Sequence, residues 1–186
     1  MSRTDSGAGG SAPAAKQKDA ATASSSSGPR RPRWIVPSTL FVSAAGLGVS
    51  IYLTIAHYTT TVTLACPETS TVNCEKVTTS AESVVFGIPV AVLGLVYFVA
   101  MLGLNSPPAW SSTSPLIRWA RMLAACIGVC FVGWLVYSEL FKIDAICLWC
   151  TSVHVLNLIL FALIAVGTAA TAAAPGTGGN RPAGRS

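Results

Sequence analysis

Two cysteines, Cys147 and Cys150, lie three residues apart in the uncharged stretch "AICLWCTSVHVLNL", residues 145–158. A pair with this spacing is typical of a redox site or a metal site. A second pair, Cys66 and Cys74, encloses the polar segment "PETSTVN". In thiol–disulfide exchange, a thiolate of one pair attacks a disulfide of another. Two pairs that can meet would therefore form a relay for two electrons.

Two further polar residues follow the cysteines in the 145–158 stretch and share one helical face with them. From Cys147, helical spacing places Cys150, His154 and Asn157 on the same side. Polar groups inside a membrane are costly and normally face the interior of the helix bundle. This face suits a flat, oil-soluble molecule with polar edges. A quinone fits, because its carbonyl oxygens accept hydrogen bonds and its ring accepts two electrons and two protons.

The elements that position these residues are predicted to be transmembrane helices. The chain is 52% hydrophobic and only 10% charged, whereas soluble domains carry about 25% charged residues. Four apolar runs are long enough for a helix to cross the bilayer. They predict an all-α integral membrane protein, a bundle of four transmembrane helices with spans at about 34–56, 83–105, 119–138 and 145–168. The Ser-, Ala- and Gly-rich tails, 1–33 and 169–186, are predicted to be disordered.

The distribution of charge predicts the orientation of the bundle. Segments 1–33, 106–121 and 169–186 contain ten of the twelve basic residues, and the opposite side contains five of the seven acids. By the positive-inside rule both termini are cytoplasmic, and loop 57–82 is extracytoplasmic. Both cysteine pairs then lie where disulfides persist. The net charge of +5 is explained by topology, and nucleic-acid binding is not predicted.

Each cysteine pair also has a simpler interpretation. Four ligands for zinc could come from Cys66, Cys74, Cys147 and Cys150, and the loop pair alone could be an inert structural disulfide. We favour redox chemistry and predict no metal site, because a permanently closed site has little reason to be divided between a loop and a membrane span. A third pair, Cys126 and Cys130, is interpreted as small apolar packing residues.

Three motifs in this order resemble the vitamin K epoxide reductase family in its bacterial membrane form. They are "CPETSTVNC" in the outer loop, "SVVFGIPVAVLG" at the start of the second span and "CLWC" at the start of the fourth. The resemblance covers about residues 34–168 and implies a four-helix bundle around a quinone, capped by the extracytoplasmic loop. One departure stands at His154, where the family often has a tyrosine that hydrogen-bonds a quinone oxygen.

The resemblance also implies a role for each candidate site residue. Cys150 is the thiol next to the quinone and Cys147 its partner, while Cys74 exchanges with Cys147 and Cys66 meets the external partner. Ser83 matches a position that hydrogen-bonds a quinone oxygen, and Ser80 matches a small polar residue earlier in the cap. We further expect the thiolate to be favoured at Cys150, at the start of a helix.

The predicted function is a thiol:quinone oxidoreductase of the bacterial inner membrane. It would reoxidise a separate, extracytoplasmic thioredoxin-fold protein (DsbA-like) that forms disulfides in exported proteins. The alternatives are a vitamin K or quinone epoxide reductase and a non-enzymatic metal-binding membrane protein. An alanine-rich chain is typical of GC-rich actinobacterial genomes, in which menaquinone is common, so menaquinone is favoured over ubiquinone.

Overall fold

A computed structural model describes residues 32–59, 64–67 and 69–172 of the chain. The predicted disorder of residues 1–31 and 173–186 lies outside the described residues. The described helices are α1 (Ile35–Tyr58), α2 (Cys74–Thr78), α3 (Val90–Leu104), α4 (Pro107–Ser111), α5 (Pro115–Ser138) and α6 (Leu148–Ala172). A 3₁₀ turn, Ala81–Ser83, follows α2, and a π-helical turn, Glu139–Ile143, follows α5.

Four of these helices form the predicted membrane bundle. Helices α1 and α6 and the α5 segment, which runs to Ile143, are long and apolar enough to span a bilayer. Helix α1 packs against α3 and α6, and α5 packs against α6. The bundle core draws side chains from all four helices, among them Val42, Phe98, Ala125 and Leu160. The prediction of an all-α, four-helix membrane protein is confirmed.

The second span is shorter than the sequence predicted. Helix α3 begins at Val90 instead of residue 83, and its 15 residues extend about 22 Å along the axis. Residues Val84–Val85 (β1) and Ile88–Pro89 (β2) form a small antiparallel hairpin instead. Its turn places Phe86 and Gly87 at φ 52° and 80°, the backbone of a tight hairpin turn. The apolar run at 83–105 therefore divides into a hairpin and a helix.

The other ends differ by a few residues. Helix α5 begins at Pro115, since proline is favoured in the first turn of a helix. Helix α6 begins at Leu148 and continues to Ala172, so residues 169–172 are helical and not part of a disordered tail. The 105–115 connection is broken into the short helix α4 and non-helical residues, as its prolines predict.

Close packing of α1 against α3 depends on Gly46. A Cβ at this position would overlap the ring of Phe98, which is almost fully buried. Membrane helices commonly approach one another at such small residues. By contrast, a Cβ at Gly48, on the same helix, would meet no atom within 4 Å.

We therefore expect Gly46→Ala to lower the free energy of unfolding by about 1–3 kcal/mol, the usual effect of overfilling a packed core. Gly48→Ala should leave it unchanged or raise it slightly, since alanine is the better helix former. Unfolding by sodium dodecyl sulfate in mixed micelles measures both variants. Equal midpoints for the two variants would contradict this account of the α1–α3 contact.

Candidate active site: two cysteine pairs above a membrane cavity

The outer loop docks onto the start of α6 through backbone hydrogen bonds. The amide of Asn73 donates to the carbonyl of Ile146 (3.1 Å), and the amide of Ile146 donates to the carbonyl of Thr71 (2.9 Å). Val72 and Ile146 form a parallel bridge. Since these contacts flank Cys74 and Cys147 in sequence, they hold the two cysteine-bearing segments side by side.

Aromatic side chains reinforce this docking. The indole Nε1 of Trp149, between the two α6 cysteines, donates to the carbonyl of Ala65 (3.0 Å). The ring of Trp149 also packs on Tyr52 of α1, with centroids 4.8 Å apart, and the Tyr52 hydroxyl accepts from the amide of Ala65 (3.2 Å). The residue before Cys66 is thus tied to both α1 and α6.

The cysteines of the two pairs meet in one buried cluster. Cys74 and Cys147 are both buried, at 1% and 0% exposure, in a cluster with Val77 and Ala145. Cys66 and Cys150 are partly buried against the same cluster. Cys66 and Cys74 are joined as a disulfide, whereas Cys147 and Cys150 are free thiols. The structure therefore brings together all four of the cysteines singled out in the sequence.

Cys147, immediately before α6, is the better placed thiolate of the α6 pair. The backbone N–H of Cys150 donates to the Cys147 sulfur (3.2 Å). A hydrogen bond from the Cys150 thiol lowers the pKa of Cys147 below its ordinary value, although burial and the charge of Glu139 act against it. The start of α6 favours the thiolate as expected, but at Cys147 and not at Cys150.

The donor from Cys150 gives a testable pH dependence. Because the lowered pKa keeps Cys147 ionised at lower pH, removing the donor in Cys150→Ala should raise the pH at which the thiolate forms. Cys150→Ser retains a hydroxyl donor and should shift this midpoint less. Ultraviolet thiolate absorbance against pH measures both variants in the reduced protein. A midpoint that moves down, or equally in both variants, would contradict the assignment.

Below the cysteines, the bundle encloses a cavity of about 280 Å³, near the lower end of the range for small-molecule sites. Most of its wall is apolar, from α1, α3 and α5. The sequence-predicted residues that line it are Cys150, His154, Asn157, Ser80 and Ser83. His154 and Asn157 are both almost fully buried, which confirms that the polar face of α6 points into the bundle.

Asn157 is oriented by a residue that the sequence reasoning missed. The hydroxyl of Tyr97 donates to Asn157 Oδ1 (2.8 Å), so the amide nitrogen of Asn157 remains a donor without an acceptor among the described residues. Tyr97 also lines the cavity. The signal was present in the sequence, since Tyr97 is the only side chain of α3 with a hydrogen-bonding group.

Ser80 and Ser83, the two serines that the resemblance places in the cap over the bundle, each donate their hydroxyl proton to a backbone carbonyl. Ser83 Oγ donates to the carbonyl of Ser80 (2.7 Å), and Ser80 Oγ donates to the carbonyl of Val77 (2.8 Å). A hydroxyl has one proton to donate. For Ser83 to donate to a bound molecule, as predicted, its hydroxyl must first turn away from Ser80. That role stays a prediction.

The donors suit a quinone. Its ring is apolar, like most of the cavity wall, and its carbonyl oxygens need donors such as the Asn157 amide and the His154 imidazole. The wall also contains Ser138, whose Oγ is buried and has no hydrogen-bond partner among the described residues. Buried polar atoms are normally paired, so this hydroxyl is available to a molecule in the cavity.

The polar network depends on a second close approach, at Gly128 of α5. A Cβ there would lie 2.5 Å from the Tyr97 hydroxyl and 2.8 Å from Asn157 Nδ2. At Gly133, on the same helix, a Cβ would meet no atom within 4 Å.

Gly128→Ala should therefore displace the Tyr97–Asn157 pair and weaken binding of a quinone in the cavity by about tenfold or more, the usual effect of losing a buried hydrogen bond. Gly133→Ala should bind like the parent. Quenching of tryptophan fluorescence by an added quinone measures the dissociation constant. Equal constants for the two variants would show that the network has no part in binding.

The remaining cysteine pair lies elsewhere. Cys126 and Cys130 are exposed on the outward face of α5, beside Leu123 and Trp134. The interpretation as packing residues is therefore wrong: in the bundle they face lipid, where a small apolar side chain is tolerated without a protein neighbour.

Two cysteine pairs above an apolar cavity in a four-helix membrane bundle define a membrane thiol–quinone oxidoreductase. The chain belongs to the vitamin K epoxide reductase family, whose family model matches residues 37–165. Members of this family are quinone-dependent oxidoreductases, so the chain is a multi-pass membrane enzyme of this kind. No curated protein matches the chain.

Proposed function

We propose that this protein oxidises an extracytoplasmic thioredoxin-fold protein and passes the electrons to a membrane quinone. The partner's dithiol reduces Cys66–Cys74, the loop pair reduces Cys147–Cys150, and Cys150 faces the quinone cavity. The observation that carries the proposal is the burial of Cys74 and Cys147 in one cluster above the cavity that Cys150 lines.

The exposure of the four sulfurs supports this order of transfer. Cys66 is the more exposed member of the loop disulfide, and Cys74 is buried beside Cys147. A soluble dithiol can therefore reach Cys66 first, while Cys74 is positioned for exchange within the protein. Each exchange breaks one disulfide and forms another, so two electrons and two protons move together. A bound quinone supplies the final two-electron, two-proton acceptor.

The charge asymmetry of the sequence supports the proposed orientation. Arg121, at the other end of the bundle from the cysteines, packs over Trp110 (3.7 Å) and donates from Nε to the carbonyl of Leu104 (2.9 Å). If the Arg121 end of the bundle faces the cytoplasm, the end that contains the four site cysteines faces the extracytoplasmic side. We propose a bacterial inner-membrane location with cytoplasmic termini and menaquinone as the acceptor.

Reconstitution tests this function directly. The purified full chain, in lipid vesicles with a menaquinone analogue, should reduce the quinone when a reduced DsbA-like protein is added, and the partner should become oxidised in equal amount. Supplying a vitamin K epoxide in place of the quinone distinguishes an epoxide reductase. Turnover with the epoxide and none with the quinone would overturn the proposal.

The metal-binding alternative has less support. A disulfide between Cys66 and Cys74 removes two of the four thiolates that a zinc site would need. Metal analysis of the purified protein, with thiol counts under oxidising and reducing conditions, distinguishes the metal-binding alternative from the redox proposal. A stoichiometric metal with four protected thiols would replace the redox proposal.

A further inference from the structure

A carboxyl group, Glu139, shares the cavity wall with Cys150 and His154. Its residue is only 6% exposed, and among the described residues no lysine, arginine or histidine forms an ion pair with it. The single ion pair in that part of the chain joins Lys142 to Glu82 (3.8 Å). An acid buried at a membrane span without a cationic partner is costly and indicates a functional role.

The backbone around Glu139 directs this carboxyl toward the α6 thiols. Glu139 begins the π-helical turn after α5, a feature frequent at functional sites. The turn ends at Asp144, which has a left-handed backbone (φ 51°), and the amide of Ala145 returns to the Glu139 carbonyl (3.2 Å). The carboxylate of Glu139 lies close enough to the backbone N–H of Cys147 to be stabilised by it.

The chemistry at this point requires a proton acceptor. Oxidation of the Cys147 and Cys150 thiols to a disulfide releases two electrons and two protons. Reduction of a quinone requires the same two electrons and two protons. The sulfurs lie in a buried cluster, where water is scarce. Glu139 is close enough to act electrostatically on both thiols, and it also faces the cavity.

We propose that Glu139 is a proton-transfer residue, which carries the two protons of the Cys147–Cys150 dithiol in turn. It accepts the first when the Cys147 thiolate forms and the second when the Cys150 thiol enters the disulfide, and it returns each within the quinone cavity, where the two electrons also arrive. The neighbouring Ser138 hydroxyl, 1% exposed and without a partner among the described residues, lies on the same wall and can pass each proton on. The proposal rests on the thiol–quinone function above and assigns a residue to its proton movement.

Other titratable groups face the same cavity and must be separated from Glu139. They are His57 from α1, Glu82 from the cap, Tyr97 from α3, and Cys150 and His154 from α6. Glu139→Gln keeps the shape of the side chain and removes its titratable carboxyl group. Asp144→Asn is the matched control, because Asp144 is an exposed acid at the end of the same turn, and asparagine tolerates its left-handed backbone.

Infrared difference spectroscopy tests the proton directly, without quinone. Chemical oxidation of the reduced full chain in lipid should produce a carboxyl C=O band that shifts in D₂O, persists in Asp144→Asn and disappears in Glu139→Gln. Absence of such a band in the parent protein, or its persistence in Glu139→Gln, overturns the proposal. The parent measurement holds even if the Glu139→Gln variant fails to fold.

Kinetics provide the second readout. Glu139→Gln should slow single-turnover quinone reduction by about 10²-fold or more, the scale of general acid–base catalysis, and should change its pH profile, while Asp144→Asn keeps the parent rate and profile. A parent rate and profile in Glu139→Gln would overturn the proposal. Failure of the parent protein to reduce quinone would instead reject the function above, since the infrared experiment uses a chemical oxidant.

Discussion

Replacing Cys150 with alanine is expected to lower the single-turnover rate of quinone reduction by at least ~10³-fold, the scale on which loss of a reacting sulfur or oxygen acts in enzymes. Cys150 is the only one of the four site cysteines that lines the described cavity, and without it Cys147 cannot form its disulfide. Stopped-flow absorbance of the quinone, after mixing with chemically reduced protein, measures the rate.

Cys130→Ala is the matched control for this loss. Cys130 is a free thiol in a membrane helix of the same bundle, but it is exposed on the outward face of α5. The Cys130→Ala variant should therefore reduce quinone at the single-turnover rate of the parent protein. If Cys150→Ala reduced quinone at the parent rate, or if Cys130→Ala lost the activity, electron transfer through the α6 pair would be refuted.

Replacing Cys74 with alanine is expected to trap the donor on the protein. In the parent, Cys74 is bonded to Cys66, so it can resolve a mixed disulfide formed at the more exposed Cys66. Without Cys74, Cys66 is a free thiol, and the experiment therefore adds the thioredoxin-fold partner in its oxidised form. The free thiolate of Cys66 attacks the partner's disulfide and forms a mixed disulfide, with release of one partner thiol. Because Cys74 is absent and cannot break this bond, most of the protein should accumulate as a covalent complex with the partner. Non-reducing electrophoresis followed by mass spectrometry measures the complex.

The reciprocal variant provides the control for trapping. Cys66→Ala lacks the sulfur that meets the donor, so it should form little or no complex, although Cys74 is still present. Both variants should lose quinone reduction driven by the partner protein. A complex that forms equally in the two variants, or only in Cys66→Ala, would contradict the assignment of Cys66 as the entry point.

The parts of the structure that depend on periodicity could be predicted from sequence. Uncharged runs of sufficient length specify spans, because backbone groups in lipid must be paired within a helix. The polar face of α6 followed from helical spacing alone, and both His154 and Asn157 are buried against the cavity. The charge distribution predicted that Cys66/Cys74 and Cys147/Cys150 lie on the same side of the membrane, which their meeting requires.

Features that depend on tertiary contacts could not be predicted in this way. Residues 83–89 belong to the apolar run that was predicted to be a transmembrane helix. In the structure, a turn at Phe86 and Gly87 makes this part of the run a β-hairpin. From the sequence, Glu139 is expected in the loop between the third and fourth spans. In the structure, the π-helical turn buries it inside the bundle. The thiolate preference for Cys147 arises from two donors of Cys150 that only the folded geometry supplies.

Electron transfer through this protein requires the loop pair, Cys66 and Cys74, to exchange with the α6 pair, Cys147 and Cys150, inside one molecule. Cys66→Ala combined with Cys150→Ala leaves only Cys74 and Cys147 of the four site cysteines, and these are the two that the structure buries together. Mild oxidation of this double variant in lipid, followed by peptide mapping, should give one intramolecular Cys74–Cys147 disulfide in most of the protein. If both thiols stayed free, or if Cys74 formed bonds only between different chains, the two pairs would not meet and the account would be wrong.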